Sequence, residues 1–317
     1  MEKNTQYDLI ILGAGPAGMT AAVYAARKQI KFLIITKDIG GQATWSSGID
    51  NYLGFRFISG AELVAKFQEH LESFKIDIQY LNITSLKHSD DTFIVETDDS
   101  QIFTSRAVIL ATGKSPQLLK VKGEQEYRGR GVVYCATCDG PIFSGLPVAV
   151  VGGGNSGFDA AIQLMKICPK VYLIESIGEI KADEVMQRQV KANPNVEILT
   201  CTSVSEIHGD ETGYVDYIVV KDIKNGSERK LDVKGIFIEI GLAPNTAFLK
   251  NLVTLNERGE VIVDCAGRTA IAGLYAAGDV TDVPEKQIIV AAGDGAKSAL
   301  GAYSYLVRHP IVTEWEN

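Results

Sequence analysis

The strongest constraint on this chain is a pattern that occurs twice. An apolar run, Leu9-Ile10-Ile11-Leu12, leads into Gly13-Ala14-Gly15-Pro16-Ala17-Gly18, then an Ala-rich stretch, then a second apolar run, Phe32-Leu33-Ile34-Ile35. The same order returns as Val148-Ala149-Val150-Val151, then Gly152-Gly153-Gly154-Asn155-Ser156-Gly157, a helical stretch through Met165, and Val171-Tyr172-Leu173-Ile174. Short apolar runs around a Gly-rich turn and a helix read as a βαβ unit, because a parallel strand buried on both faces has no polar alternation. Within each turn the first glycine permits the tight bend and the second lets backbone approach a pyrophosphate. The third lets helix and strand pack closely, with the helix N-terminus facing the phosphates. One such turn is a weak signal. Two, each bracketed by apolar strands, read as two dinucleotide sites.

The residue closing each second strand carries further information, since an acid there binds ribose hydroxyls and repels a 2′-phosphate. Thr36 follows Gly13 by 23 positions and Glu175 follows Gly152 by the same 23, so the acid stands only in the second unit. The run Glu175-Ser176-Ile177-Gly178-Glu179-Ile180-Lys181 contains no Arg, which favours NADH over NADPH. Lys181 leaves an opening for NADPH, and a solvated acid at a strand end fits the same spacing.

At 317 residues and 46% apolar content the chain is long enough for two cores. A net charge of -8 without a basic block argues against a nucleic-acid surface. The N-terminal stretch before the first strand is too short for a signal peptide or a membrane span, and the expected location is cytoplasmic.

Of five cysteines only Cys135 and Cys138 are close in sequence, in Tyr134-Cys135-Ala136-Thr137-Cys138-Asp139. Two intervening residues let the sulfurs meet in a tight turn, and such pairs stabilise a thiolate able to attack other disulfides. Asp139 is a candidate proton source as one sulfur leaves. The competing reading, half a zinc site, needs a second pair or His partners at ligand spacing, and the sequence has neither, so no metal is expected. Near the C-terminus, Gly273-Leu274-Tyr275-Ala276-Ala277-Gly278-Asp279 reads as a strand closing on Gly-Asp. The helix opened by Gln287-Ile288 carries small residues at helical spacing, suited to packing on a neighbouring backbone or facing an anion.

Taken in order, these motifs resemble those of the low-molecular-weight thioredoxin reductases across nearly the whole chain. The likeness rests on the Gly13–Gly18 turn, Gly40-Gly41-Gln42, Asn51, Ala111-Thr112-Gly113, Cys135 to Asp139, the Gly152–Gly157 turn, Gly278-Asp279 and Gln287-Ile288. Where NADPH-binding members carry His-Arg-Arg, this chain has Glu175-Ser176-Ile177. Its second site, with Lys181-Ala182-Asp183 and Pro284-Glu285-Lys286-Gln287-Ile288-Ile289, is most similar to the flavoprotein subunit of bacterial alkyl hydroperoxide reductase.

The resemblance implies an α/β fold of two Rossmann-like (doubly wound, three-layer) nucleotide-binding domains, the second inserted into the first. Residues 1–115 and 245–317 would bind FAD, and residues 116–244 would bind NADH and carry the cysteine pair. FAD contacts would come from Gly13, Gly15, Pro16, Ala17, Gly18, Thr36, Gly41, Gln42, Asn51, Ala111, Thr112, Gly113, Gly278, Asp279, Lys286, Gln287 and Ile288. NADH contacts would come from Gly152, Gly154, Asn155, Ser156, Gly157 and Glu175. It further implies a homodimer whose domains rotate, Cys138 facing the flavin and Cys135 the partner disulfide. Because the chain begins almost at the first strand, the expected relay is a separate thioredoxin- or glutaredoxin-like protein. A flavoprotein fed by another donor, or a redox sensor without turnover, stays open at this point.

Overall fold

The computed structural model describes residues 6–46 and 48–310. Residues 1–5, on which the reading of the N-terminus rests, lie outside them. The chain forms two compact units. One comprises Met1–Thr44, Ala61–Ser115 and Ala243–Asn317, the other Trp45–Gly60 and Pro116–Leu242.

The first unit opens with β1 (Gln6–Ala14), α1 (Pro16–Arg27) and β2 (Phe32–Ile39). Gly15 caps α1 and Pro16 takes its first position, where a missing N–H costs nothing. The helix α2 (Gly60–Glu72) leads to β3 (Asp77–Tyr80), the hairpin β4 (Ile83–Ser89) and β5 (Thr92–Thr97), and β6 (Ile102–Leu110). After the short strand β7 (Lys114–Pro116) the second unit runs through β8 (Val132–Val133), α3 (Ala136–Asp139), β9 (Val148–Val151), α4 (Asn155–Leu164) and β10 (Val171–Ile174). It continues with α5 (Glu184–Lys191), β11 (Val196–Leu199), β12 (Thr202–Gly209), β13 (Val215–Asp222), β14 (Glu228–Asp232) and β15 (Gly235–Ile238). The chain returns after β16 (Leu242–Pro244) to complete the first unit with β17 (Leu274–Ala276) and α6 (Ile288–Arg308).

The first sheet runs β3-β2-β1-β6-β5-β4, with β17 also pairing β6. Strands β1, β2, β3, β6 and β17 are parallel neighbours. Successive side chains of a strand face opposite ways, and the core divides accordingly. Leu9, Ile11, Ala107 and Ile109 pack under α1 and α6, while Ile10, Leu12, Val108 and Leu110 pack with Phe93, Val95, Leu249 and Val261. The second unit repeats the plan: β11-β10-β9-β15-β8 is all parallel, with Val148, Val150, Leu173 and Phe237 under α4. Its other face carries the antiparallel sheet β12-β13-β14 through Val204, Ile207, Ile218 and Leu231. The architecture is α/β, and in the second unit the third layer is the antiparallel β-sheet and not helices.

Trp45–Gly60, with Asn51, groups with the second unit and not with the rest of residues 1–115. The segment has no apolar period to place it from sequence. Its position follows from long-range contacts: the Trp45 ring lies 6.5 Å from that of Tyr134, and Ser46 Oγ donates to Asp139 at 2.9 Å.

Gly18 and Gly157 show why the third glycine of each turn admits no side chain. A Cβ at Gly18 would run into the carbonyl oxygen of Gly13, and one at Gly157 into that of Gly152. Backbone cannot yield as a flexible side chain does. Gly18→Ala is therefore expected to lower stability by about 1–3 kcal/mol, read as an earlier urea midpoint with unchanged slope.

Candidate functional site

In each parallel sheet the strand order reverses beside the first strand: between β1 and β6 in one unit, between β9 and β15 in the other. A crevice opens there at the carboxyl ends of the strands, where nucleotides bind in folds of this kind.

At the first crevice, Gly13 has a positive φ of 104° and lies against the Ala111 carbonyl so closely that a Cβ has no room. Gly40 N donates to Ala14 O at 2.8 Å, and Gly41, with φ 54°, lies against Gly15. Gln42 Nε2 donates to Lys114 O at 2.8 Å, which ties the loop after β2 to the loop after β6. Thr112 and Asn245 exchange two hydrogen bonds, of 2.9 and 2.8 Å. Gly278 abuts Ala17 and Ala291, and a Cβ on Gly295 of α6 would meet the Ala17 carbonyl. Of the residues expected at this site, Gly13 is thus brought against Ala111, Gly41 against Gly15 and Gly278 against Ala17, with Gln42 bonded beside Gly113 at Lys114. The Thr36 hydroxyl is buried, accepts from Ala14 N at 3.1 Å and donates to Asp38 O at 2.6 Å, so it holds the turn.

A charged cluster missed by the sequence reading, except for Asp279 and Lys286, stands beside this crevice. Lys114 Nζ lies 2.5 Å and Lys286 Nζ 3.5 Å from Glu260 Oε1. Lys286 also donates to Thr281 O at 2.6 Å. Burial pushes the Asp279 carboxyl up despite Lys286 and Lys114, and burial with Lys114 pushes the Lys286 ammonium down. Burial opposes ionisation of Glu260 too, but hydrogen bonds from Lys114 and Asn256 and the two lysine charges outweigh it and hold this carboxyl at about 2. Its stabilising effect is complete above the ordinary 4.5 and is lost as pH falls toward 2. Glu260→Gln is expected to cost about 2 kcal/mol near neutral pH and to flatten the acid limb of a stability–pH curve.

The second turn copies the first. Gly152 has φ 132° and lies against the Glu239 carbonyl, and Gly154 caps α4 with open space beyond it. Glu175 occupies the place of Thr36: its Oε2 accepts from Gly153 N at 2.5 Å and its Oε1 from Ile177 N at 2.8 Å. Asn155 bonds reciprocally with Asp183, Asp183 N donating at 2.9 Å and Asn155 Nδ2 at 3.2 Å, and Lys181 N donates to Gly153 O at 3.0 Å. Ser156 is exposed in the first turn of α4. Two carboxylates, Glu175 and Asp183, therefore flank the start of α4. The open faces at Gly15 and Gly154, with no atom within hydrogen-bonding range of a would-be Cβ, fit a pyrophosphate against backbone at both turns.

Cys135 and Cys138 form a disulfide with their Cα atoms 5.3 Å apart. Cys135 caps α3, and its Sγ accepts from Cys138 N at 3.2 Å, a donor that also favours a thiolate there. Asp139 is buried, with Ser46 as one partner. The two intervening residues are held as well: Ala136 N donates to Glu239 Oε1 at 3.2 Å, and Thr137 Oγ1 lies 3.3 Å from Gln163 Oε1, whose Nε2 donates to Asp159 at 2.7 Å. Tyr134 donates to buried Glu124 at 3.1 Å, and its phenol is pushed up to about 12 by burial and by that carboxylate. Among the described residues no helix is long and apolar enough to cross a membrane.

Glu239 was missed because one acid in Ile236-Phe237-Ile238-Glu239-Ile240 reads as a strand end. The signal was there: like Glu175, it stands where a parallel strand stops.

A family model described as pyridine nucleotide-disulphide oxidoreductase matches residues 7–295. The chain is 41% identical over 303 residues to an NADH dehydrogenase of Bacillus subtilis, covering 96% of this chain and 59% of that one. It is 40% identical over 309 residues to an alkyl hydroperoxide reductase subunit of Staphylococcus aureus, covering 97% and 61%. It therefore spans about three fifths of the length of these curated relatives. Among solved structures, a thioredoxin reductase from Streptococcus pyogenes superposes with a TM-score of 0.90 at 37% identity, over 96% of this chain and all of that one. With the match extending through both Gly-rich turns and the cysteine pair, the chain belongs to the pyridine nucleotide-disulphide oxidoreductase family.

Proposed function

We propose that this protein reduces a disulfide of a thioredoxin- or glutaredoxin-like partner at the expense of NADH, as a homodimer with FAD in the first unit and the nicotinamide nucleotide in the second. The observation that carries this reading is the sharing of one unit by the Cys135–Cys138 disulfide and a Gly-rich turn closed by an acid. FAD would take a hydride from NADH and supply two electrons to the disulfide. The open backbone at Gly15 would face its pyrophosphate, with Gly13 making the bend and Gly18 letting helix and strand pack closely, and Asp279 and Lys286 would stand beside it. Gly154 would do the same for NADH, with Gly152 making the bend and Gly157 the close packing, while Glu175 would meet the ribose hydroxyls and Asp183 would add to the charge that repels a 2′-phosphate.

In the partner step the Cys135 thiolate attacks one sulfur of the partner's disulfide, forming a mixed disulfide and releasing the partner's other sulfur as a thiolate. Cys138 then attacks Cys135 Sγ, the Cys135–Cys138 bond reforms, and the second partner sulfur leaves. Two electrons have passed to the partner, and its two thiolates take up protons, one of them by way of Asp139. Anaerobic stopped-flow absorbance with NADH and NADPH at matched concentrations tests the donor. Faster bleaching of the flavin by NADH supports the reading, and no bleaching by either nucleotide would refute it.

A further inference from the structure

Glu239 follows directly on β15, at the crevice between β9 and β15, and its backbone N donates to Val151 O at 2.8 Å. Its carbonyl lies against Gly152 of the nucleotide-binding turn, while its carboxylate accepts from Ala136 N, the residue after Cys135. Covalent geometry then puts the carboxylate within about 8 Å of Cys135 Sγ. We propose that Glu239 is a positioning carboxyl for the redox pair: it fixes the start of α3 and, by its charge, governs how readily the reduced pair releases a proton to solvent and becomes a thiolate. This rests on the pair being the redox centre and deepens that reading.

The titratable groups on the elements around Glu239 are Tyr134, Cys135, Cys138 and Asp139 along β8 and α3, Asp159 on α4, and Glu175 beyond Gly152-Gly153. Burial pushes the Glu239 carboxyl up to about 7, against the pull of Ala136 N–H and with Asp159 adding to the rise. Its charge therefore appears across neutral pH. A negative charge at this range raises a thiol pKa by about 1.5 pH units at a dielectric of about 20. Below about pH 6 the carboxyl is neutral and exerts no such effect.

Glu239→Gln keeps the acceptor for Ala136 N and removes the charge. The holoprotein is reduced with dithiothreitol, freed of it anaerobically, and alkylated with iodoacetamide across a pH series, with Cys135 and Cys138 scored by mass spectrometry. The Gln variant is expected to alkylate up to about tenfold faster near pH 8 and at the wild-type rate below about pH 6. Superimposable profiles, or an offset constant with pH as a purely structural change gives, would overturn the proposal. If the variant does not fold, the infrared carboxylic-acid band of isotope-labelled glutamate in wild type must titrate at different pH in the oxidised and reduced states, and identical titrations overturn it. Alkylatable thiols produced by NADH, scored in parallel, report on the proposed reaction itself: their absence would refute that reaction while leaving the test of Glu239 in chemically reduced protein intact.

Discussion

A Cys138→Ser protein mixed anaerobically with NADH is expected to bleach its flavin and yet to sustain no turnover of a partner disulfide. Serine matches the size of cysteine and keeps α3 in place, but its hydroxyl does not form a nucleophilic anion at neutral pH, and no disulfide forms with Cys135. The mixed disulfide with the partner then has no internal thiolate to resolve it. The expected trace separates nucleotide chemistry from disulfide chemistry in one sample. Multiple turnovers of a partner by this variant would show that the route to the partner bypasses the pair that the structure joins as a disulfide.

The second large effect concerns Glu175. This carboxylate accepts from Gly153 N and Ile177 N and so closes the turn, and under the proposed function it would also meet the ribose. Glu175→Ala is expected to raise KM for NADH roughly 10- to 100-fold, the worth of about 1.5–3 kcal/mol for a hydrogen bond to a charged group. kcat should change much less, because the ribose contact is made equally before and during hydride transfer. NADPH should lose less than NADH, because one of the two carboxylates facing a 2′-phosphate is gone. Equal losses for both nucleotides would mean that Glu175 serves only to hold the turn.

The two turns were legible because their requirements are local. A positive φ at Gly13 and Gly152, a cap at Gly15 and Gly154, and backbone contact at Gly18 and Gly157 all act within six residues. The spacing of 23 was equally telling, since Thr36 and Glu175 do bond to corresponding amides, those of Ala14 and Gly153. The cysteine pair was legible for the same reason: its spacing fits one turn of chain. Less legible was what a side chain spends its hydrogen bonds on. Thr36 bonds to Ala14 N and Asp38 O, and Asn155 to Asp183, pairings that the spacing of the motifs does not record.

Steric demands among a few neighbouring residues were enough to specify the two βαβ units, the positions of both nucleotide turns and the redox pair. The grouping of Trp45–Gly60 with the second unit came from folding in three dimensions. So did the gathering of Lys114, Glu260 and Lys286 from positions up to 172 residues apart, and the placing of Glu239 against the amide of Ala136, 103 residues away. Charges and hydrogen bonds act through space, and their partners are set by where the strands of a parallel sheet end, which no local pattern along the chain records.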